Sequence, residues 1–250
     1  MYNIVKIYVI AHKEFVLPSM PNIYQVLQVG AENKPIIDEK WRRDNEGNDN
    51  ISIKNANYNE MTGCYWVWKN CEEDIVGICH YRRFFVSPIG KILNVLFGKQ
   101  CCFIGENQVR KWLSRYDVVL HNKTYFKTSN EEQYGETLPH PEDLLLMREV
   151  VSDLCPDYLE TMNQVLRGNK AHLLNVIIAK KETYDAYCTW VFSILDEIER
   201  RLLDRGETDF SRRMAMLAER MLDVWIIKNK ISYKECFMIN TERKDVKILS

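Results

Sequence analysis

"GICHYRRFF", residues 77–85, decides the fold. The run into it, Ile75-Val76-Gly77-Ile78-Cys79, is apolar at every position, as in a strand covered on both faces. It stops in His80, Tyr81, Arg82 and Arg83, with no loop-forming residue among them, and turns apolar again at Phe84-Phe85. In open α/β sheets ligands gather at the carboxyl ends of strands, so these four side chains mark a candidate site. Arginines held near a core by apolar neighbours need an anionic partner. That partner is a protein carboxylate, or a ligand phosphate or carboxylate gripped bidentately.

Working outward, residues 4–11, "IVKIYVIA", predict a first strand that ends at His12-Lys13, with a second short run, "YQVLQVG", after it. Residues 42–50 form a polar loop rich in turn residues. "NANYNEMTGCYWVWKN" predicts a helix with Met61, Cys64, Tyr65 and Trp68 on one apolar stripe. Asn57 or Asn59 is placed to cap it, Glu60 lies in its first turn, and Trp66 falls off the stripe, free to stack on a sugar or base. Strand, loop, helix, strand is an α/β signature. "DVVLHNK" adds a strand ending at His121-Asn122-Lys123, "HLLNVIIAKK" another, and "YKECFMIN" a closing one. Residues 182–204 and 212–229 keep helical register, and 241–246 predict a solvated end. The expectation is a single α/β domain with a mostly parallel central sheet flanked by helices, and a helical C-terminal half.

The formal net charge of -1 over 250 residues gives nucleic acid no broad basic surface, so any anion site is local. The eight cysteines form no C-x-x-C pair, which argues against a zinc ribbon and for a reducing, cytoplasmic setting. The N-terminus has neither the basic head nor the long apolar stretch of a signal peptide. Phosphate-loop, dinucleotide-turn, nucleophile-elbow and H-E-x-x-H patterns are absent, and so is a D-x-D pair for a divalent metal. Glu72-Glu73-Asp74 comes nearest, but it precedes its strand. In "SPIGKILNVLFGKQ", Lys91 and Lys99 flank an apolar stretch that either folds into the core or rests on an anionic membrane.

"NEMTGCYWVWKN" followed by "VGICHYRRFF" resembles the bacterial domain-of-unknown-function 4422 family. Its pattern has an N-terminal His-Lys pair, E-x-T-x-x-Y-W-x-W-K-N, G-x-x-H-Y-R-R, a Q-Y-x-x-x-H segment and a late A-E-R. The counterparts here are His12-Lys13, Glu60 to Asn70, His80 to Arg83, Gln133-Tyr134, and Ala218-Glu219-Arg220. His140 follows Tyr134 at a longer interval than the pattern has. The resemblance implies a GT-A-like, Rossmann-related glycosyltransferase of capsule, exopolysaccharide or lipopolysaccharide synthesis. Residues 1–125 would then hold the nucleotide sugar and 126–250 form the acceptor-side helical part. The implied donor is a UDP-sugar such as UDP-galactose or UDP-galactofuranose, the implied acceptor a growing, often lipid-linked glycan, and the implied outcome inversion.

Glycosyl transfer builds negative charge on a leaving diphosphate. Without a D-x-D, the expectation is that Arg82 or Arg83, with Lys13, supplies the counter-charge, that His12, His80 and Tyr81 share the donor site, and that no cofactor is tightly bound, with a divalent Mn²⁺ or Mg²⁺ as the less favoured alternative. A carboxylate must take the acceptor hydroxyl proton. Glu60 and Glu219 rank level for that role, Asp143 third. Trp66, Tyr134 and His140 are candidates for stacking on sugar or acceptor. The competing reading is a non-catalytic nucleotide-sugar or glycan-binding module.

Overall fold

Strands β1 (Val5–Ala11), β2 (Tyr24–Gln28) and β3 (Arg42–Arg43) lie side by side in parallel, and β4 (Ile75–His80) pairs with the other edge of β1. The computed structural model describes residues 4–47, 49–137, 140–208 and 211–242. Both faces of β1 are apolar because both are covered. Tyr8 and Ile10 pack toward one buried cluster, and Val5, Ile7, Val9 and Ala11 toward another. The helix α1 (Asn55–Tyr58) leads into α2 (Met61–Asn70). Gly63 lets α2 lie close on the sheet, since a Cβ there would stand 2.5 Å from Ile10 Cδ1.

The remaining strands are β5 (Arg83–Val86), β6 (Val118–His121), the short pair β7 (Thr124–Tyr125) and β8 (Lys170–Ala171), β9 (Ile178–Lys180) and β10 (Tyr233–Asn240). The main sheet runs β3-β2-β1-β4-β5-β10-β6-β9. It is mixed, which corrects the mostly parallel sheet expected from sequence. β5 and β9 both pair antiparallel with β4, β5 at His80↔Arg83 and β9 along Ile75 to Gly77. β10 is antiparallel to β5 and parallel to β6. The physical reason lies in residues 77–85. Only Tyr81 and Arg82 separate β4 from β5, whereas a parallel return needs a crossover of a dozen residues or more. The polar quartet is therefore the tip of a hairpin.

"HLLNVIIAKK" becomes a strand only at its end, because Leu174 and Asn175 take left-handed φ values of 71° and 49°. The other helices are α3 (Pro88–Phe97), α4 (Glu106–Leu113), α5 (Asn130–Thr137), α6 (Asp143–Leu154), α7 (Leu159–Arg167), α8 (Lys181–Asp204) and α9 (Arg213–Lys228). The two helices read most firmly from periodicity, α8 and α9, pack together with α2 in the larger core. Residues 243–246 of the expected solvated end lie outside the described residues, but Thr241 and Glu242 are engaged: the Thr241 N–H donates to the Arg82 carbonyl at 3.1 Å.

Candidate active site

A cleft of about 380 Å³ opens at the carboxyl ends of β1 and β4. It is lined by Ile10, His12, His80, Tyr81 and Arg82 from the ends of β1 and β4 and the turn after β4, and by Asn59, Glu60, Leu174, Arg212 and Glu219 from other segments. The hairpin tip and the N-terminal half of α9 thus both contribute to the lining.

Two carboxylates meet there. Glu219 sits within α9 and is buried, with Oε1 accepting the Leu174 N–H at 2.8 Å. Glu60 stands just before α2 and makes no capping bond; its Oε1 accepts from Asn175 Nδ2 at 2.8 Å. Burial, and then the nearby charge of Glu60, push the Glu219 carboxyl up to about 7, against the pull of Arg220, the Leu174 N–H and Arg212. Neither expected cap of α2 forms, since Asn57 falls inside α1 and Asn59 at its end. Beside the carboxylates, burial holds the His80 ring below its ordinary range, Glu60 opposing and Arg83 and Arg82 adding to the effect. Its Nε2 is shielded from solvent and has no partner among the described residues.

The rim is basic. Lys13 Nζ and the Arg82 guanidinium lie 5.3 Å and 5.5 Å from the Tyr81 ring centre, and His12 meets the same ring edge-on at 5.3 Å. Burial lowers the His12 pKa, with Lys34, Lys13 and Arg82 lowering it further. The protein carboxylate that answers Arg82 is Glu242, bridging Lys13 at 3.4 Å and Arg82 at 3.2 Å. Arg83 opens β5 and does not line the cleft.

Much of the resembling sequence is scaffold for this site. Thr62 Oγ1 donates to the buried Asp44, which also accepts the N–H groups of Gly30 and Ala31 at 2.9 Å and 3.0 Å. That fixes the turn after β2 to α2. Trp66 is 1% exposed and donates Nε1–H to the Glu46 carbonyl at 2.8 Å, so it has no open face for a sugar, contrary to expectation. Trp68 stacks on Phe192. Tyr134 is likewise fully buried, under the Arg220 guanidinium, which bonds Gln133. The Q-Y and A-E-R blocks therefore form one contact behind Glu219. Asp143 is buried in an ion pair with Arg213, Nε to Oδ2 at 2.8 Å, away from the cleft lining. This removes it as a proton acceptor. His140 lies outside the lining as well, with Nδ1 3.1 Å from Glu142.

Sequence reasoning passed over Asn55, Lys34, Leu174 and Arg212, and considered Asn59 only as a cap. Asn59, Leu174 and Arg212 share one feature: non-glycine residues in the cleft wall with φ of 43°, 71° and 63°. Such backbone strain concentrates at functional sites. In the amide orientation that satisfies both groups, Asn59 accepts from Arg212 Nε at 3.1 Å. Among the described residues, no three His, Cys, Asp or Glu side chains are grouped to hold a metal ion.

Fold and site together define an α/β protein with a carboxylate pair and a cationic rim at the carboxyl ends of parallel strands. The chain belongs to the family described as Domain of unknown function (DUF4422), which matches residues 6–230. It is similar to a solved structure described as the WbbM bifunctional glycosyltransferase in its apo form, with 26% identity and a TM-score of 0.78. The match covers 96% of this chain and 46% of that one, so this chain spans about half of that protein's length. No curated protein matches the chain.

Proposed function

We propose that the cleft transfers a hexosyl group from a nucleoside-diphosphate sugar to a hydroxyl of a growing surface polysaccharide. The observation that carries this reading is the buried Glu219, with its proton affinity raised to about 7, lining the same cleft as Arg82, which Glu242 joins to Lys13. The likeness to a glycosyltransferase supports the reaction class. A UDP-linked galactose or galactofuranose as donor and a lipid-carried glycan as acceptor are what the sequence resemblance implies.

In this reaction the acceptor oxygen forms a bond to the anomeric carbon while the bond from that carbon to the diphosphate oxygen breaks. The acceptor proton passes to a Glu219 oxygen. A carboxylate with its pKa near the working pH is a stronger base than an ordinary one and is still about half ionised. Attack from the Glu219 side and departure toward the rim give a single displacement with inversion. Arg82 and Lys13 meet the charge that grows on the leaving diphosphate, a role for fixed cations that needs no metal. Glu242 holds both in place before the donor arrives. His80 and the Asn59–Arg212 wall are left to orient sugar hydroxyls.

The test is transfer from a panel of UDP-sugars, with and without excess chelator. Turnover that survives chelation and is lost in Glu219→Gln is the expected result. Turnover that is abolished by chelator and restored by Mn²⁺ or Mg²⁺ rejects the metal-free form. Donor binding by thermal shift with no turnover under any condition makes the protein a binding module instead.

A further inference from the structure

Helix α3 has two well-made ends and an apolar outer face. Ser87 Oγ accepts the Gly90 N–H at 3.1 Å, and Pro88 occupies the first turn. Gly98, at φ 64°, closes the other end, its N–H donating to the Asn94 carbonyl at 2.9 Å while Lys99 N–H reaches Leu93 at 3.3 Å. The inner side is held by the close packing of Gly90 on Cys101 and Cys102. Yet Ile89, Ile92, Val95, Leu96 and Phe97 stand 43% to 67% exposed. The sequence left two fates for this stretch, core or membrane, and the core is not the one it takes.

Residues 86–105 contain Lys91 and Lys99 and no Asp or Glu. Lys91 is turned inward to the Met238 carbonyl at 3.3 Å, and Lys99 is exposed beside the apolar face. The helix is also tied to the cleft. Gln100 Nε2 donates to the Thr241 carbonyl at 3.0 Å, Thr241 N–H donates to Arg82, and Glu242 bridges Arg82 and Lys13. At the far end of this tie Lys13 and Arg82 are half-exposed and share the single carboxylate Glu242, which leaves one positive charge in excess there.

We propose that α3 is an interfacial helix that seats the protein on an anionic lipid bilayer with the cleft rim beside the surface, where a lipid-carried acceptor is within reach. The size of the patch favours a bilayer over a second copy. A helix of this length is about 15 Å long and about 10 Å wide, a small footprint beside the roughly 800 Å² per partner of a stable complex. A bilayer interface takes such a helix by its apolar face and its flanking cations, with no minimum partner area. No described helix is long and apolar enough to cross a membrane, so contact through α3 would be peripheral. The acceptor side of this proposal rests on the transfer reading; the docking itself does not.

The experiment is flotation of the full chain with phosphatidylcholine vesicles, with and without a large share of phosphatidylglycerol. The wild type is expected to float with the anionic vesicles, and the Ile92→Glu/Leu96→Glu double variant to lose at least tenfold in apparent affinity while keeping its circular dichroism. Lys99→Glu, which leaves the apolar face intact, is expected to lose severalfold. Wild type that stays with the free protein, or a double variant that floats equally, overturns the proposal. So does light scattering that shows a wild-type dimer split by the double variant, because a second copy then covers the face. Flotation by a protein that transfers no sugar supports docking and sinks the transfer reading, while transfer without flotation does the reverse.

Discussion

Glu219 and Asp223 lie four residues apart on α9, and both are buried. Burial raises the proton affinity of each, but the outcomes are opposite. Asp223 accepts the His172 N–H at 2.9 Å, faces the His172 ring nitrogen at 2.7 Å and pairs with Lys123 at 3.1 Å. His172 and Lys123 together overcome burial and hold its carboxyl below the usual range. Glu219 has one backbone N–H and a second carboxylate beside it, the pull of Arg220 and Arg212 does not offset burial, and it rises to about 7. The number and charge of the partners, not depth, separate a structural carboxylate from one that exchanges a proton near neutral pH. Segment 172–175 joins the two, with His172 at the anchor, Leu174 N–H on Glu219 and Asn175 on Glu60.

Breaking each side in turn should separate function from stability. Glu219→Gln is expected to cut turnover by about 10² to 10⁴, the usual contribution of a general base, measured as initial rates of sugar transfer. The same variant should be more stable than wild type above pH 7. The folded-state value of about 7 exceeds the ordinary 4.5, so the stability contributed by this proton is full below about 4.5 and is lost as pH rises through 7. Replacing the acid with its amide should recover up to about 3 kcal/mol at pH 8, read by urea denaturation. Asp223→Asn should do the reverse. It strands Lys123 and the His172 ring and is expected to cost about 3 to 5 kcal/mol, with turnover per folded molecule changing much less than in Glu219→Gln. Because the Asp223 carboxyl is held low, its contribution is present above the unfolded value and disappears as pH falls through the lower folded one.

Smaller effects sharpen the same division. Arg82→Ala should lower kcat by roughly a hundredfold with the fold intact, because the role proposed for its charge is at the leaving diphosphate and not in the core. Trp66→Phe should cost about 1 kcal/mol for the lost hydrogen bond to the Glu46 carbonyl, with the KM for donor unchanged. A large rise in that KM would restore the stacking role that its burial argues against.

The part of the site that was legible in sequence is the part built from contiguous segments. His12, Glu60, His80, Tyr81, Arg82 and Glu219 all carry a local signal, a strand end or a block of the family pattern, and all line the cleft. Arg212 and Lys34 carry none; they arrive through the path of loops before α9 and after β2. Leu174 and Asn175 were hidden in an apolar run that reads as a strand, because a left-handed turn imposed by tertiary contacts leaves no mark on hydrophobic periodicity. The burial of Trp66 leaves no mark in the helix stripe, because α2 is covered on several sides. The antiparallel return at Tyr81-Arg82 was available in principle, since the short interval between two apolar runs already forbids a crossover.

The central claim is that Glu219 takes the acceptor proton at a value set by its environment. The pH dependence of kcat/KM for transfer from a UDP-sugar tests it most directly. The expected profile has an acid limb of unit slope with an apparent pKa near 7, and this limb is absent from the residual rate of Glu219→Gln. A limb at the ordinary glutamate value, or a Glu219→Gln variant with near-native turnover, would contradict the account.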